Sequence, residues 1–178
     1  AVFANVVRRG RTGIAFAPTG IGPFFVLRNR VVGPTWVESG TLYKLGAQSD
    51  GRTWIFHESG YDADVSSGSG ATGIQQTNPG LASYVSRNNA WQVDRYVVET
   101  TSHVGGPVPD MDWDALFSTD ATGRFVKWFD VLRSSLAALQ GGEGQELHGQ
   151  TRDLAALDWT DAVNGGFTLV PASGLRDA

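Results

Sequence analysis

Phe24-Phe25-Val26-Leu27 is the stretch that most directly indicates the fold, because four large apolar residues follow one another directly after Pro23. A short apolar run beside a turn residue is typical of a strand, and the absence of a polar alternate face predicts burial on both sides. A second run, Gly13-Ile14-Ala15-Phe16-Ala17, alternates large and small side chains. Both runs therefore predict β-strands.

The same pattern extends over residues 1–101, where short apolar runs are separated by Gly, Pro, Asn and Asp. Such spacing favours an antiparallel sandwich or barrel and leaves little room for helices. Residues 48–51 include Asp-Gly, so we expect a hairpin that joins Thr41–Leu45 to residues 52–57. Residues 59–80 are rich in glycine and serine and predict one long loop that faces partners or solvent.

One amphipathic helix is predicted over residues 120–140. Asp120 is placed to cap it, and apolar residues recur at three- and four-residue spacing until Gly141 and Gly142. This apolar stripe contains Phe125, Trp128, Phe129, Leu132, Leu136 and Leu139. We expect Trp128, Phe129 and Leu132 to form the core together with Phe24–Leu27. Replacing Leu132 by Ala should then cost about 2–5 kcal/mol.

Composition predicts a single β-rich domain over residues 1–178, with no internal repeat or linker. The chain is 41% hydrophobic and 11% aromatic, enough for one core without disulfides or metals. It has no cysteine, which excludes disulfides and thiolate metal sites. A net charge of −4 argues against specific nucleic acid, since phosphate backbones need clustered Lys and Arg. No apolar run approaches the roughly 20 residues of a transmembrane helix.

The first candidate for a chemical site combines imidazole and carboxylate groups. His57 and Glu58 stand close in sequence to Asp62 and Asp64. Such groups can hold a metal ion or transfer protons. Their spacing matches no known ligand pattern, so a solvated loop is the favoured interpretation.

The acidic run Asp110, Asp112 and Asp114 resembles the opening of a calcium-binding loop. An EF-hand loop would need Gly and Glu where Ala115 and Ala121 stand. The first turn of a short helix, where carboxylates are favoured, is the simpler interpretation.

Nucleophilic chemistry has no motif to support it. Ser66, Ser67 and Ser69 lie among glycines, but neither a nucleophile elbow nor a phosphate-binding loop is present. The three histidines are far apart in sequence: His57, His103 and His148. We therefore predict no catalytic, cofactor-binding or metal-binding residue and no cofactor, and we expect the protein not to be an enzyme.

Tryptophan offers a different kind of site, because an exposed indole suits the flat face of a sugar. The six tryptophans are Trp36, Trp54, Trp91, Trp113, Trp128 and Trp159. Core packing is the competing interpretation. It is favoured for Trp54 and Trp128, because each is predicted to lie on the same face of its strand or helix as neighbouring apolar residues.

The layout as a whole resembles the small single jelly-roll capsid proteins of icosahedral viruses of prokaryotes, including those of haloarchaea. The matching features are runs such as 13–17 and Phe24–Leu27, the glycine-rich loop, the late helix and a closing strand at 167–170. The resemblance implies upright β-barrels that pack beside copies of themselves and other shell proteins in a virion, without catalytic residues.

The sequence therefore predicts a mainly β fold, an antiparallel sandwich or jelly-roll-like barrel with one helix. The predicted function is that of a non-enzymatic structural protein that self-assembles, as a viral capsid or virion shell component. The large aromatic content and scarce lysine are also typical of association surfaces. Two alternatives stay open: a carbohydrate-binding, lectin-like β-sandwich module, cytoplasmic or secreted, or a hydrolase with an unrecognised site.

Overall fold

The computed structural model shows a chain that winds into three parallel sheets. It describes residues 1–8, 12–16, 23–33, 40–46, 52–62, 70–76, 84–101, 108–173 and 175. Successive strands enter the three sheets in turn, so each set of three strands forms one coil of a three-sided parallel β-solenoid. Each inner strand pairs with the strand one coil earlier and one coil later.

Three sets of strands build these sheets. Sheet A contains β1 (Val2–Phe3), β4 (Phe24–Leu27), β7 (Thr53–Phe56), β10 (Tyr84–Arg87) and β13 (Asp110–Asp112). Sheet B contains β2 (Val6–Arg8), β5 (Arg30–Val32), β8 (Ser59–Asp62), β11 (Ala90–Val93) and β14 (Ala115–Ser118). Sheet C contains β3 (Thr12–Phe16), β6 (Thr41–Leu45), β9 (Thr72–Gln76), β12 (Val98–Thr100), β15 (Val126–Trp128) and β16 (Val131–Arg133).

The core lies inside the solenoid, where inward-facing side chains stack in columns. Because side chains alternate along a strand, parallel register places every second residue of each coil above its counterpart in the coil below. One column in sheet C consists of Tyr43, Ile74, Val98 and Val126, all buried. Tyr43 also packs edge-on against the buried Trp91 of sheet B, which ties two sheets together.

The antiparallel jelly roll predicted from the sequence is wrong. Among the described strands, only β15–β16 and the pair β17 (Trp159–Asp161) and β18 (Gly166–Leu169) are antiparallel. The expected hairpin of Thr41–Leu45 with residues 52–57 is also absent, because β6 and β7 belong to different sheets. Its turn, residues 48–51, lies outside the described residues.

An internal structural repeat is present although none was predicted. Stacked positions Val2, Val26, Ile55, Ser86 and Met111 are 24, 29, 31 and 25 residues apart. A repeat of such variable length leaves no fixed period in the sequence. The variation falls on the connections, because the strands themselves stay in register.

The predicted helix at 120–140 is wrong over most of its length. Residues 126–133 form the β15–β16 hairpin, whose two-residue turn has positive φ at Phe129 and Asp130. Asp120 caps a turn at Thr122 and pairs with Arg124. The real helix, α1 (Leu136–Glu143), begins after Ser135, whose Oγ accepts from the Ala138 N–H at 3.1 Å.

The predicted core is confirmed only in part. Trp128 is buried and Phe129 is partly buried against the core, but Leu132 is 49% exposed on β16. In β4, Val26 is buried while Phe25 is 38% exposed, so the strand is not covered on both sides. Alternation in a sheet, rather than a helical stripe, decides which of these side chains face inward.

The predicted long loop at 59–80 contains β8 and β9, so it is also wrong as a loop. Ser66, Ser67 and Ser69 lie outside the described residues. The closing strand is present as β18, but it pairs with β17 rather than with a main sheet.

The C-terminal segment covers the outer face of sheet B. It consists of α2 (Leu154–Leu157), β17, a 3-10 turn (Ala162–Asn164) and β18. Its apolar side chains pack against outward residues of the solenoid in one cluster: Val32, Ala115, Leu154, Trp159, Ala162 and Phe167. Neither α1 nor α2 is long and apolar enough to cross a membrane.

Candidate ligand-binding groove

The corner between sheets A and B has the same two-residue construction in each coil. The first residue has a φ between 53° and 64°, which turns the chain sharply. These first residues are Ala4, Arg28, His57, Asn88 and Trp113, and all are exposed. The second residue is polar: Asn5, Asn29, Glu58, Asn89 or Asp114. The corners thus present one column of side chains to solvent and, from Asn29 onward, another to the interior.

The second residues form an internal polar ladder, which ends at Glu146. Each ladder residue donates its backbone N–H to the side chain of the next. The Glu58 N–H donates to Asn89 Oδ1 at 2.9 Å, and the Asn89 N–H donates to Asp114 Oδ1 at 2.8 Å. At the start, the Asn5 N–H donates to Asn29 Oδ1 at 2.9 Å. The ladder therefore satisfies backbone donors that the sharp corners leave outside the sheets.

The acids of the ladder are held away from water. Burial raises the pKa of Glu58 to about 7, although the Tyr43 hydroxyl, at 2.5 Å from Oε2, and Asn29 both donate to its carboxyl group. Burial also raises the pKa of Asp114 to about 6. The pKa of Glu146 rises to about 11, because burial is reinforced by the charge of Asp114 beside it.

Outside the ladder, Trp113 and His148 form a stacked pair. Their ring centroids are 4.1 Å apart and their planes differ by 4°. His148 Nδ1 lies 2.8 Å from Asp112 Oδ2, and the His148 N–H donates to Asp112 Oδ1 at 2.7 Å. Partial burial acts to raise the pKa of Asp112, but these bonds from His148 hold it below its ordinary value. The indole is thus fixed in place while Trp113 stays 50% exposed.

The stacked pair borders a groove of about 380 Å³ between the corner column and the C-terminal segment. One wall carries the exposed corner side chains His57, Asn88 and Trp113, continued by His148. The floor consists of outward residues of sheet B and its continuation, Ser59, Ala90, Ala115 and Gln150. The opposite wall is apolar and contains Trp159, Phe167, Leu169 and Leu175. The small side chains of the floor leave the volume of the groove open. Its two walls make one side polar and the other apolar.

The first candidate site from the sequence is not assembled. His57 and Glu58 both border the groove, but His57 points outward from the corner while Glu58 is 1% exposed and belongs to the ladder. Asp62 is buried beside Gly33 in sheet B. Asp64 lies outside the described residues.

The acidic run is likewise dispersed, and its interpretation as a helical turn is wrong. Asp110 and Asp112 lie in β13, where Asp110 pairs with Arg87 and Asp112 with His148. Asp114 faces the interior. Within the described part of the chain, no three His, Asp or Glu side chains are grouped to hold a metal ion.

The remaining candidates divide by exposure. Trp91, Trp128 and Trp159 are buried and Trp54 is partly exposed on sheet A, whereas Trp36 and His103 lie outside the described residues. Sequence reasoning did not connect Trp113 with His148 or find the floor of the groove. A signal was present in the polar residue that follows each corner, but its variable spacing concealed it.

Comparison of the chain with protein-family models, curated proteins and solved structures finds no match. The groove and its chemistry are therefore the basis for any functional conclusion.

Proposed function

We propose that the protein binds a neutral carbohydrate in the groove. The observation that carries the proposal is the Trp113–His148 stack, an indole fixed in orientation and half exposed at the rim. A sugar ring has an apolar face and a polar edge. It matches a site in which an aromatic surface stands beside hydrogen-bonding groups.

The other groove residues support this chemistry. His57, Asn88 and Gln150 supply donors and acceptors for hydroxyl groups, and the half-buried Leu169 and Leu175 offer apolar surface on the opposite wall. The acids that border the groove, Glu58 and Asp114, are each 1% exposed and engaged in the polar ladder. With no exposed formal charge at these positions, a neutral sugar fits better than an acidic one.

The arrangement further favours a linear chain of sugars. The polar wall is contributed by successive coils, and neighbouring parallel strands lie about 4.8 Å apart. That distance is comparable with the length of one sugar unit in an extended chain. Each coil can therefore serve one unit, and affinity should rise with chain length until the groove is filled.

The test is calorimetric titration with neutral linear oligosaccharides of increasing length. The substitution Trp113→Asn removes the indole but keeps a residue that tolerates positive φ, as Asn88 does in the coil before. We expect at least about fivefold weaker binding for this variant, since an aromatic contact contributes about 1 kcal/mol in addition to the apolar area that it buries.

The matched control is Trp54→Phe, which alters a tryptophan on sheet A that does not line the groove. Its affinity should equal that of the unaltered protein. No binding by any neutral oligosaccharide, or equal loss in both variants, would refute the proposal.

Self-assembly is the second candidate function, and apolar side chains on the outer face of sheet A support it, because Phe3 is 58% and Phe25 38% exposed there. The role as a capsid or virion shell component stays a prediction, now without the antiparallel jelly roll from which its resemblance came. The hydrolase alternative also stays a prediction, and no grouping of the described residues supports it over sugar binding.

A further inference from the structure

The two columns of side chains that line the groove both continue one coil beyond it. The corner column reaches the end of the groove at His57, and the corner residue of the coil before is Arg28. The floor column reaches the same end at Ser59, which pairs in parallel register with Arg30. Val31, the next residue of that strand, is buried, so the Arg30 side chain points outward, as that of Ser59 does. The coil just beyond the groove therefore presents two arginines, one from each column.

A third arginine lies beside these two. Arg8 in β2 is two residues beyond Val6, the partner of Arg30, and alternation places it on the same outer face of sheet B. Its guanidinium group approaches the C-terminal segment at Gly165, where an added Cβ would lie 3.4 Å from the Nε and Nη2 atoms. The C-terminal segment supplies the opposite wall of the groove. This end thus has one arginine on the corner wall, one on the floor and one beside the opposite wall.

No described residue neutralises these three guanidinium groups. Arg8, Arg28 and Arg30 are exposed, and none of them forms an ion pair with an acid in the described part of the chain. The acids of adjoining elements are engaged elsewhere. Glu58 is buried in the polar ladder, and Asp161 accepts hydrogen bonds from a neighbouring asparagine. In a chain with a net charge of −4, a local cluster of unpaired positive charge favours an anionic ligand.

We propose that the sugar chain bound in the groove ends in an acidic unit, whose carboxylate group is bound by Arg28 and Arg30. The inference rests on the proposed sugar binding and extends it, because the neutral units stay in the groove and only the unit beyond it is charged. A guanidinium group presents its donors in a planar fork that matches a carboxylate. Three strand spacings, about 14 Å, separate the corner of Arg28 from that of Trp113. With one sugar unit per coil, the acidic unit is the fourth, counted from the unit on the indole.

The test is calorimetric titration at low ionic strength with linear tetrasaccharides of glucose, mannose or galactose. Each neutral chain is compared with two derivatives, in which the unit at one end or the other is the corresponding uronic acid. For a neutral chain that binds, we expect one derivative to bind about tenfold more tightly, since hydrogen bonds to charged groups are the stronger ones. This gain should shrink as the ionic strength rises, whereas the affinity for the neutral chain should not change.

Three variants locate the gain. Arg28→Gln and Arg30→Gln each remove one charge at the end of the groove and should abolish most of the gain. Arg133→Gln is the matched control, because it removes one positive charge from β16, away from the groove. It should leave the affinities for neutral and acidic chains unchanged.

The outcomes separate this inference from the proposed function. Equal affinity for a neutral chain and both of its acidic derivatives would overturn the inference and leave sugar binding in the groove intact. A gain that survives in Arg28→Gln and Arg30→Gln, or that Arg133→Gln removes to the same extent, would also overturn it, since the charge would then act at another place or through the chain as a whole. Binding by none of the neutral or acidic chains would refute both proposals together.

Discussion

Asp114 donates its backbone N–H to Glu146 Oε2 at 3.1 Å, so two buried carboxyl groups lie side by side at the end of the polar ladder. Asp114 also accepts hydrogen bonds from the side chains of Ser86 and Asn89. These donors stabilise its negative charge, so Asp114 ionises more readily than Glu146. Glu146 has the higher pKa, about 11 against about 6. The fold therefore holds Glu146 as a neutral acid at neutral pH.

The first prediction is that the protein loses stability as pH rises from acid to alkaline. Carboxyl groups of the unfolded chain titrate near 3.8 for Asp and 4.5 for Glu. In the folded protein they titrate at about 6 for Asp114, 7 for Glu58 and 11 for Glu146. Between these limits the folded state binds more protons, so stability is lost as pH rises. The melting temperature should fall from about pH 5 to about pH 9.

The matched variant for this prediction is Glu146→Gln, an uncharged side chain of the same shape. Its amide oxygen can keep the bond from the Asp114 N–H while its NH₂ group faces the Asp114 carboxylate. We expect a melting temperature several degrees higher than that of the parent at pH 8 and little changed at pH 4. Equal effects at both pH values would show that the carboxyl pair does not govern the pH dependence.

The second prediction concerns adjacent residues on opposite sides of one corner. Asn89 accepts from the Glu58 N–H and donates to Ile55, Ser86 and Asp114, so Asn89→Ala leaves several buried groups without partners. The free energy of unfolding should fall by at least about 3 kcal/mol. Asn88→Gly, at an exposed positive-φ position, should change it by less than about 1 kcal/mol. Urea denaturation measures both, and similar losses would contradict a structural role for the ladder.

The β content could be predicted from the sequence, but the sheet arrangement could not. Runs such as Phe24–Leu27 become strands in either architecture, since local alternation sets the strand and not its partner. Parallel pairing with a strand 24 to 31 residues away has no local signal. Phe129 and Asp130 form a turn that is usually made by Asn-Gly, so the sequence pattern around them favours a helix and gives no hairpin signal.

The candidate site could not be predicted either, because its residues come together only through the parallel pairing of the coils. An exposed tryptophan could be anticipated as a sugar platform, but Trp113 could not be selected from six tryptophans without the corner that turns it outward. His148 reaches Trp113 only because residues 145–150 continue the solenoid beyond its last full coil. The acids Glu58 and Asp114 looked like surface residues, because a buried ladder is visible only once the coils are aligned.

The third prediction separates two leucines that the sequence placed on one helical stripe. Leu139 is fully buried in α1, and Leu139→Ala should lower the free energy of unfolding by about 2–5 kcal/mol. Leu132→Ala should change it by no more than about 0.5 kcal/mol, because that side chain is half exposed on β16. Chemical denaturation measures both values. A large loss for Leu132→Ala would restore the helical interpretation of residues 120–140.

The fourth prediction contrasts two glycines whose replacement by alanine should have opposite signs. A Cβ on Gly73 in β9 would stand 2.4 Å from the Val97 carbonyl oxygen, and backbone cannot move away as a flexible side chain can. Gly73→Ala should therefore destabilise the protein by about 1–3 kcal/mol. Gly141 lies in α1 with nothing within 4 Å of its added Cβ, and Gly141→Ala should stabilise by about 0.5–1 kcal/mol through helix propensity.

Thermal unfolding of both variants tests the close packing of sheet C and the position of α1 together. A stabilised Gly73→Ala would mean that β9 does not approach the 97–98 backbone, and a destabilised Gly141→Ala would mean that the helix ends before residue 141.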